Sequence, residues 1–412
     1  MFPFIDIVLM IVKSIPTVFF NPLFWLVIVL VWFQYQRSAK LEVKLYGREI
    51  HPARDKAISA IFFGVIGGIV GSFVLIFIGV SISDIGLAYV WMLAILFMMI
   101  HPRFLCFSYA GGIVSLSSLI FGFPNIDVAG LMAIVGILHF IEGILIYLSG
   151  YQEATPIFVK NERHGVVGGF TLQKFWPLPI VVLLTLTGQE LPEEVIQMPD
   201  WWPLIRPIQQ TENIIYVMFP VVAALGYGDI ALAHSPREKS KKSAFYLFGF
   251  SSVLLLLAII ASRIKIFQYI AALFAPIAHD LIIHYGRNIE KKAPPMFVVP
   301  ERGVRVLEVI PNSPAEAMGL KRGDVILSIN GIPINTKQEL NFFLSDYPTY
   351  VWLDCADNDG KYFSVDYKAY PDGLKFLGVI LVPDSMEGAV TVEEKGGLLL
   401  RWLKNLFKSN RM

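Results

Sequence analysis

Apolar runs separated by short charged loops occupy residues 1–292, and about nine of them approach the ~20 residues needed to cross a bilayer. They fall at 17–36, 58–80, 84–100, 105–123, 128–149, 175–188, 213–233, 244–262 and 266–285. The run at 175–188 is short and holds Pro177 and Pro179, so it reads as tilted, broken or re-entrant. Residues 1–20 are apolar but interrupted by Asp6, Lys13 and Pro16. No small-residue cleavage pattern follows, which suggests an interfacial helix or an imperfect first span rather than a removed signal peptide. From residue 293 the period changes. Residues 304–310 are rich in β-branched side chains and read as a strand. Ser313, Pro314 and Glu316 then mark a helix start, and Gly319 its end. Residues 325–329 read as a second strand, closed by the turn signal Asn330–Gly331. A helix is predicted over 336–346, with Thr336 and Glu339 as a capping box and Leu340, Phe343 and Leu344 on one apolar face. Residues 350–356 and 362–367 read as a hairpin around Asn358, Asp359 and Gly360.

Composition fits a membrane protein with a smaller soluble part: 55% hydrophobic, 16% charged, mean hydropathy +0.60 over 412 residues. The expected architecture is a polytopic α-helical membrane domain (1–292), a small α/β domain (293–384) and a basic amphipathic tail (385–412). Lys291, Lys292, Pro294 and Pro295 form a short stiff linker between the first two. The net charge of +1 is uninformative, but its distribution is not. Arg37, Lys40, Lys44, Arg48, Arg54 and Lys56 fall on the same side, by span counting, as Arg237, Lys239, Lys241 and Lys242. The positive-inside rule makes that side cytoplasmic, and with it the domain at 293–384. The opposite segment, 189–212, is acidic and carries the interfacial pair Trp201–Trp202. In the tail, Leu399, Leu400, Trp402, Leu403, Leu406 and Phe407 lie among Arg401, Lys404 and Lys408, a pattern suited to an anionic membrane surface or to packing on protein.

The stretch 303–334 (GVRVLEVIPNSPAEAMGLKRGDVILSINGIPI) resembles the core of a bacterial PDZ domain, with Met318 standing where such domains usually have Ala. The resemblance implies a peptide-binding module without catalytic residues. Phe376, Leu377, Gly378, Val379 and Ile380 look like its carboxylate loop and groove strand, placed after the core rather than before it. The opposing helix wall would be Leu340, Phe343 and Leu344, with Lys337 and Asn341 at the rim. Some of these apolar side chains must also fill the core of so small a domain.

Catalytic motifs are missing from the membrane part. Site-2 proteases join a membrane region to a PDZ domain, but they need HExxH on one helix, and this chain has none. His279 and His284 are five residues apart and diverge around a helix. The intramembrane polar candidates are His139, Glu142, His279 and Asp280; a composite site of His139, Glu142 and His279 is conceivable, but hydrogen bonding between helices is the preferred reading. Cys106 and Cys355 show no disulfide or metal spacing, and no metal, cofactor or nucleic acid is expected. The GGIVG run at 67–71 reads as close helix packing, and Asp229 as a partner for the basic loop 234–243.

Many spans, a short linker and one PDZ domain together resemble the MinJ family of membrane adaptors from the Min system of Gram-positive rods. The stretches carrying that resemblance are 102–109, Gly168–Phe170 with Phe175–Pro177, Leu225–Asp229 with Ser235–Glu238, and 377–383. It implies no catalysis. It implies instead a multi-pass protein of the cell membrane, septum and poles, bridging the pole and septum marker DivIVA and the ATPase MinD. The alternative is a degenerate intramembrane protease or processing factor.

Overall fold

In the computed structural model, residues 2–187, 196–206 and 214–384 are described, and the expected tail at 385–412 lies outside them. The chain begins with helices α1 (Phe4–Val18) and α2 (Pro22–Tyr46), which meet at a 73° bend. Then follow α3 (Ala53–Ile78), α4 (Leu87–Ile100), a 3-10 turn at Pro102–Leu105, α5 (Phe107–Phe121) and α6 (Val128–Ser149). Strands β1 (Thr155–Asn161), β2 (Gly165–Thr187) and β3 (Ile214–Ala231) form an antiparallel sheet, and α7 (Pro236–Ala261) and α8 (Lys265–Lys292) complete the region. Among the described residues, α3, α6, α7 and α8 are long and apolar enough to cross a membrane, and the α1–α2 pair adds a fifth if counted as one. α4 and α5 have 14 and 15 residues, short of the ~20 that a full crossing needs.

The nine-span expectation is corrected at 175–188 and 213–233, which are strands of one long hairpin rather than helices. The hairpin lies along α3, with its β2 edge toward that helix. A strand edge among apolar helices must satisfy every second N–H without water. Along this edge, Phe175 donates to the Tyr35 hydroxyl (3.2 Å), Val181 to Ser72 Oγ (2.8 Å) and Thr185 to Ser83 Oγ (2.9 Å). Pro177 and Pro179, between them, have no N–H to satisfy. Their carbonyls lie so close to α3 that a Cβ at Gly64 or Gly68 would come within 2.2 or 2.1 Å of the oxygens. Gly67 and Gly71 face Leu145 and Ile141 of α6 in the same way. The glycine run is thus close packing, on two sides of one helix.

Ion pairs fix one end of this region. Glu42, fully buried, pairs with Lys56 at 2.5 Å and accepts from the backbone of Ile50 and from Thr155. Lys174 pairs with Glu153. Asp229, expected to meet the basic loop, lies 3.2 Å from Lys239 and accepts from Ser243.

β4 (Phe297–Val298) pairs with β2 and carries the chain into the second domain. There the elements are β5 (Val304–Val309), α9 (Pro314–Ala317), β6 (Val325–Ile329), β7 (Ile332–Pro333), α10 (Lys337–Leu344), β8 (Tyr350–Ala356), β9 (Tyr362–Lys368) and β10 (Val379–Leu381). The sheet order is β10-β5-β6-β8-β9, antiparallel throughout, with β7 beside β6. Ser313 caps α9 through the Glu316 N–H, and Thr336 and Glu339 form the expected capping box on α10. Asn330 and Gly331 both have positive φ, +49° and +78°, as a tight hairpin turn requires.

The two domains share packing. Leu307, Ile310, Ile380 and Val382 belong to the same buried cluster as Phe170, Phe297 and the helix interior. The Arg322 guanidinium lies 5.0 Å from the Phe170 ring centroid, and that of Arg48, in the α2–α3 loop, 3.6 Å from the Phe376 centroid.

Candidate functional site: a groove strand and a membrane cluster

The loop 376–378 is held by its carbonyls. Gly378 O accepts from Ile310 N (2.8 Å) and Leu377 O from Ala315 N (2.8 Å), while among the described residues the amides of Leu377 and Gly378 meet no backbone acceptor. Gly378 has φ +95°, and a Cβ there would sit 2.2 Å from Ser313 Cβ. The glycine is therefore required by the fold of the loop itself, in addition to any approach by a ligand.

β10 is an edge strand, paired through Val379–Val309 and Ile380–Glu308, and its outer side carries no strand among the described residues. Its side chains alternate. Leu377 and Leu381 enter the domain core with Leu340 and Leu344, and Val379 and Phe343 lie half-buried at the margin of that core. Ile380 points to the other face, into the cluster shared with the membrane region, and Phe376 lies under Arg48. Apart from Gly378, which belongs to the loop described above, the eight residues expected to form the groove divide three ways. Val379 and Phe343 lie half-buried at the margin of the domain core, Leu340, Leu344 and Leu377 are inside it, and Ile380 and Phe376 pack toward the membrane region. Lys337 and Asn341 are exposed on α10.

Behind the groove strand, Glu308 is 4% exposed and engages Arg322 twice, Nε to Oε1 at 2.8 Å and Nη2 to Oε2 at 2.5 Å. Burial raises the Glu308 carboxyl, and Arg322 opposes that rise. Buried Cys355 is pushed up to about 12 by desolvation, as for an inert core thiol.

In the membrane region, the tip of the α4–α5 hairpin reaches the middles of α6 and α8. His139 and His279 come together there, with ring centroids 4.9 Å apart. Cys106, the N-cap of α5, joins them: its Sγ is 3.1 Å from His139 Nε2 and 3.8 Å from His279 Nε2. These are groups able to hold a metal ion. Glu142 and Asp280 do not belong to the trio; Asp280 accepts from Tyr109 (2.9 Å) and pairs with His284 (3.3 Å). Sequence reasoning missed Cys106, because ligands drawn from three distant helices leave no spacing signature. A polar N-cap inside an apolar stretch was the available signal.

The fold defines a class: a chain with several helices long and apolar enough to cross a membrane and a C-terminal PDZ domain, whose family matches residues 305–355. Over nearly its whole length the chain is MinJ-like. It is 25% identical over 398 residues to the cell division topological determinant MinJ of Bacillus subtilis, covering 91% of this chain and 96% of that protein. It is 24% identical over 380 residues to the probable MinJ of Lacticaseibacillus paracasei, covering 88% and 95%. A shorter likeness, 32% over 85 residues, is to the zinc metalloprotease RasP of Shouchella clausii, covering 20% of this chain and 18% of that protein. The protease likeness is confined to the PDZ region, whereas the MinJ likeness takes in membrane region and PDZ domain together and supports a cell-division topological determinant.

Proposed function

We propose that the chain is a non-enzymatic membrane adaptor for division-site selection, with its PDZ domain in the cytoplasm. The partner's extended segment adds to the free edge of β10, and its side chains meet Val379 and Phe343. The observation that carries the reading is the MinJ likeness across 91% of the chain, set beside a strand, β10, whose outer edge carries no strand among the described residues. The side assignment is supported by Arg48, from the basic segment 37–57, which lies against the PDZ domain at Phe376. The resemblance names a DivIVA-like pole marker and a MinD-like ATPase as the proteins bridged, and the septum and poles as the location. Deleting the gene in its host is expected to displace septa or lengthen cells, and re-expression of the Val379→Asp chain is expected not to restore them. Normal septum placement after deletion would contradict the proposal.

A further inference from the structure

We propose that Cys106, His139 and His279 form a metal site for a zinc-class divalent cation, which staples α5, α6 and α8 at the tip of the α4–α5 hairpin. Zinc held by one sulfur at about 2.3 Å and two imidazole nitrogens at about 2.0–2.1 Å places sulfur and nitrogen about 3.5 Å apart. The two S···N distances, 3.1 and 3.8 Å, bracket that value.

The orientation of the groups fits as well. His139 Nδ1 lies 2.7 Å from Val135 O, so that nitrogen carries the proton and the Nε2 lone pair faces the sulfur. This is the backing a metal-bound histidine requires. The Ser108 N–H points at Cys106 Sγ from the first turn of α5 at 3.4 Å and helps to fix the sulfur beside the two rings. Ser108 Oγ, 3.3 Å from His139 Nε2, or a water, can complete a tetrahedron. His139 and His279 are 4% and 8% exposed, so the site is shielded from bulk water. Hydrogen bonds alone can also link the trio as His279 to sulfur to His139, and with either linkage the buried His279 Nδ1 has no partner among the described residues. Binding displaces the Cys106 thiol proton, which leaves to solvent as the S–metal bond forms. Among the described residues the cluster holds one thiol and two imidazoles and no carboxylate, a ligand set suited to a clamp.

The test uses the full chain purified in detergent, loaded with zinc(II), desalted and analysed for metal, with cobalt(II) as a spectroscopic probe. One equivalent of zinc and a thiolate-to-cobalt charge-transfer band are expected. Cys106→Ser and His279→Gln should each retain the wild-type gel-filtration profile while metal content falls at least tenfold and the cobalt band disappears. Chelation should lower the melting temperature of the wild type and leave that of Cys106→Ser unchanged. Equal metal in wild type and both variants, or cobalt bound without a thiolate band, would overturn the site. If a variant aggregates, the wild-type cobalt spectrum alone decides.

Discussion

Arg322 shows how much can rest on one side chain. It pairs with the buried Glu308 and lies over the Phe170 ring of the membrane region. Arg322→Ala strands a carboxylate that is almost out of water. The loss should reach about 3 kcal/mol, at the low end for a buried pair because Arg322 is itself 40% exposed. Denaturant unfolding of the full chain in detergent checks it, and a change below about 0.5 kcal/mol would show the pair to be ornamental. Asp354 works in the opposite electrostatic sense. Hydroxyls of Ser328 and Ser364, each at 2.6 Å, hold its carboxyl below the usual range. Its stabilisation is fully present above the unfolded carboxylate value near 3.9 and is lost as pH falls through the lower folded value. In melts taken from about pH 5 to about pH 2, Asp354→Asn should flatten the acid-side loss of stability. Parallel profiles for the two proteins would contradict this. Gly378 was legible from sequence as a glycine that the loop before β10 needs, and its φ of +95° agrees. Its contact with Ser313 was not, because that residue lies 65 positions away. Gly378→Val is therefore expected to lose stability along with partner binding, which makes Phe343→Asp the cleaner probe of the groove.

Among the elements, the β2–β3 hairpin was the least legible. Its two strands are apolar on both faces, so the alternation that marks a half-exposed strand is missing, and an apolar run of such length reads as a helix. Pro177 and Pro179 signalled a broken span. Their physical meaning is an edge without donors, facing a helix with no side chains in the way. The PDZ elements, by contrast, announce themselves through local chemistry, namely caps, turn glycines and period-two strands, and their observed bounds differ from expectation by one or two residues. The α3–β2 contact gives a sharp prediction. Gly68→Val puts a side chain where the Pro179 carbonyl lies and should cost about 3 kcal/mol or more, seen as loss of the monodisperse detergent-solubilised protein. Gly249→Ala, with nothing within 4 Å of the added carbon, should behave as wild type. Equal yields of the two would mean that α3 and the hairpin can part without penalty.

At the scale of the whole molecule, the PDZ domain is built onto the membrane region instead of hanging from it. β4 extends the membrane sheet, Ile380 and Val382 enter its core, and Arg48 covers the base of the groove loop. The alternate side chains of the same short strand, Val379 and Leu381, face the groove side. A peptide added to β10 would thus press on a strand whose other face is the domain junction, which joins partner binding to the membrane anchor. The central claim is that this strand is where the adaptor holds its partner. The most direct measurement is photocrosslinking in living host cells from a reactive amino acid placed at Val379 of the full chain. The account predicts an adduct with a division-site protein that disappears when Phe343→Asp is introduced. No adduct, or one that survives Phe343→Asp unchanged, would contradict it.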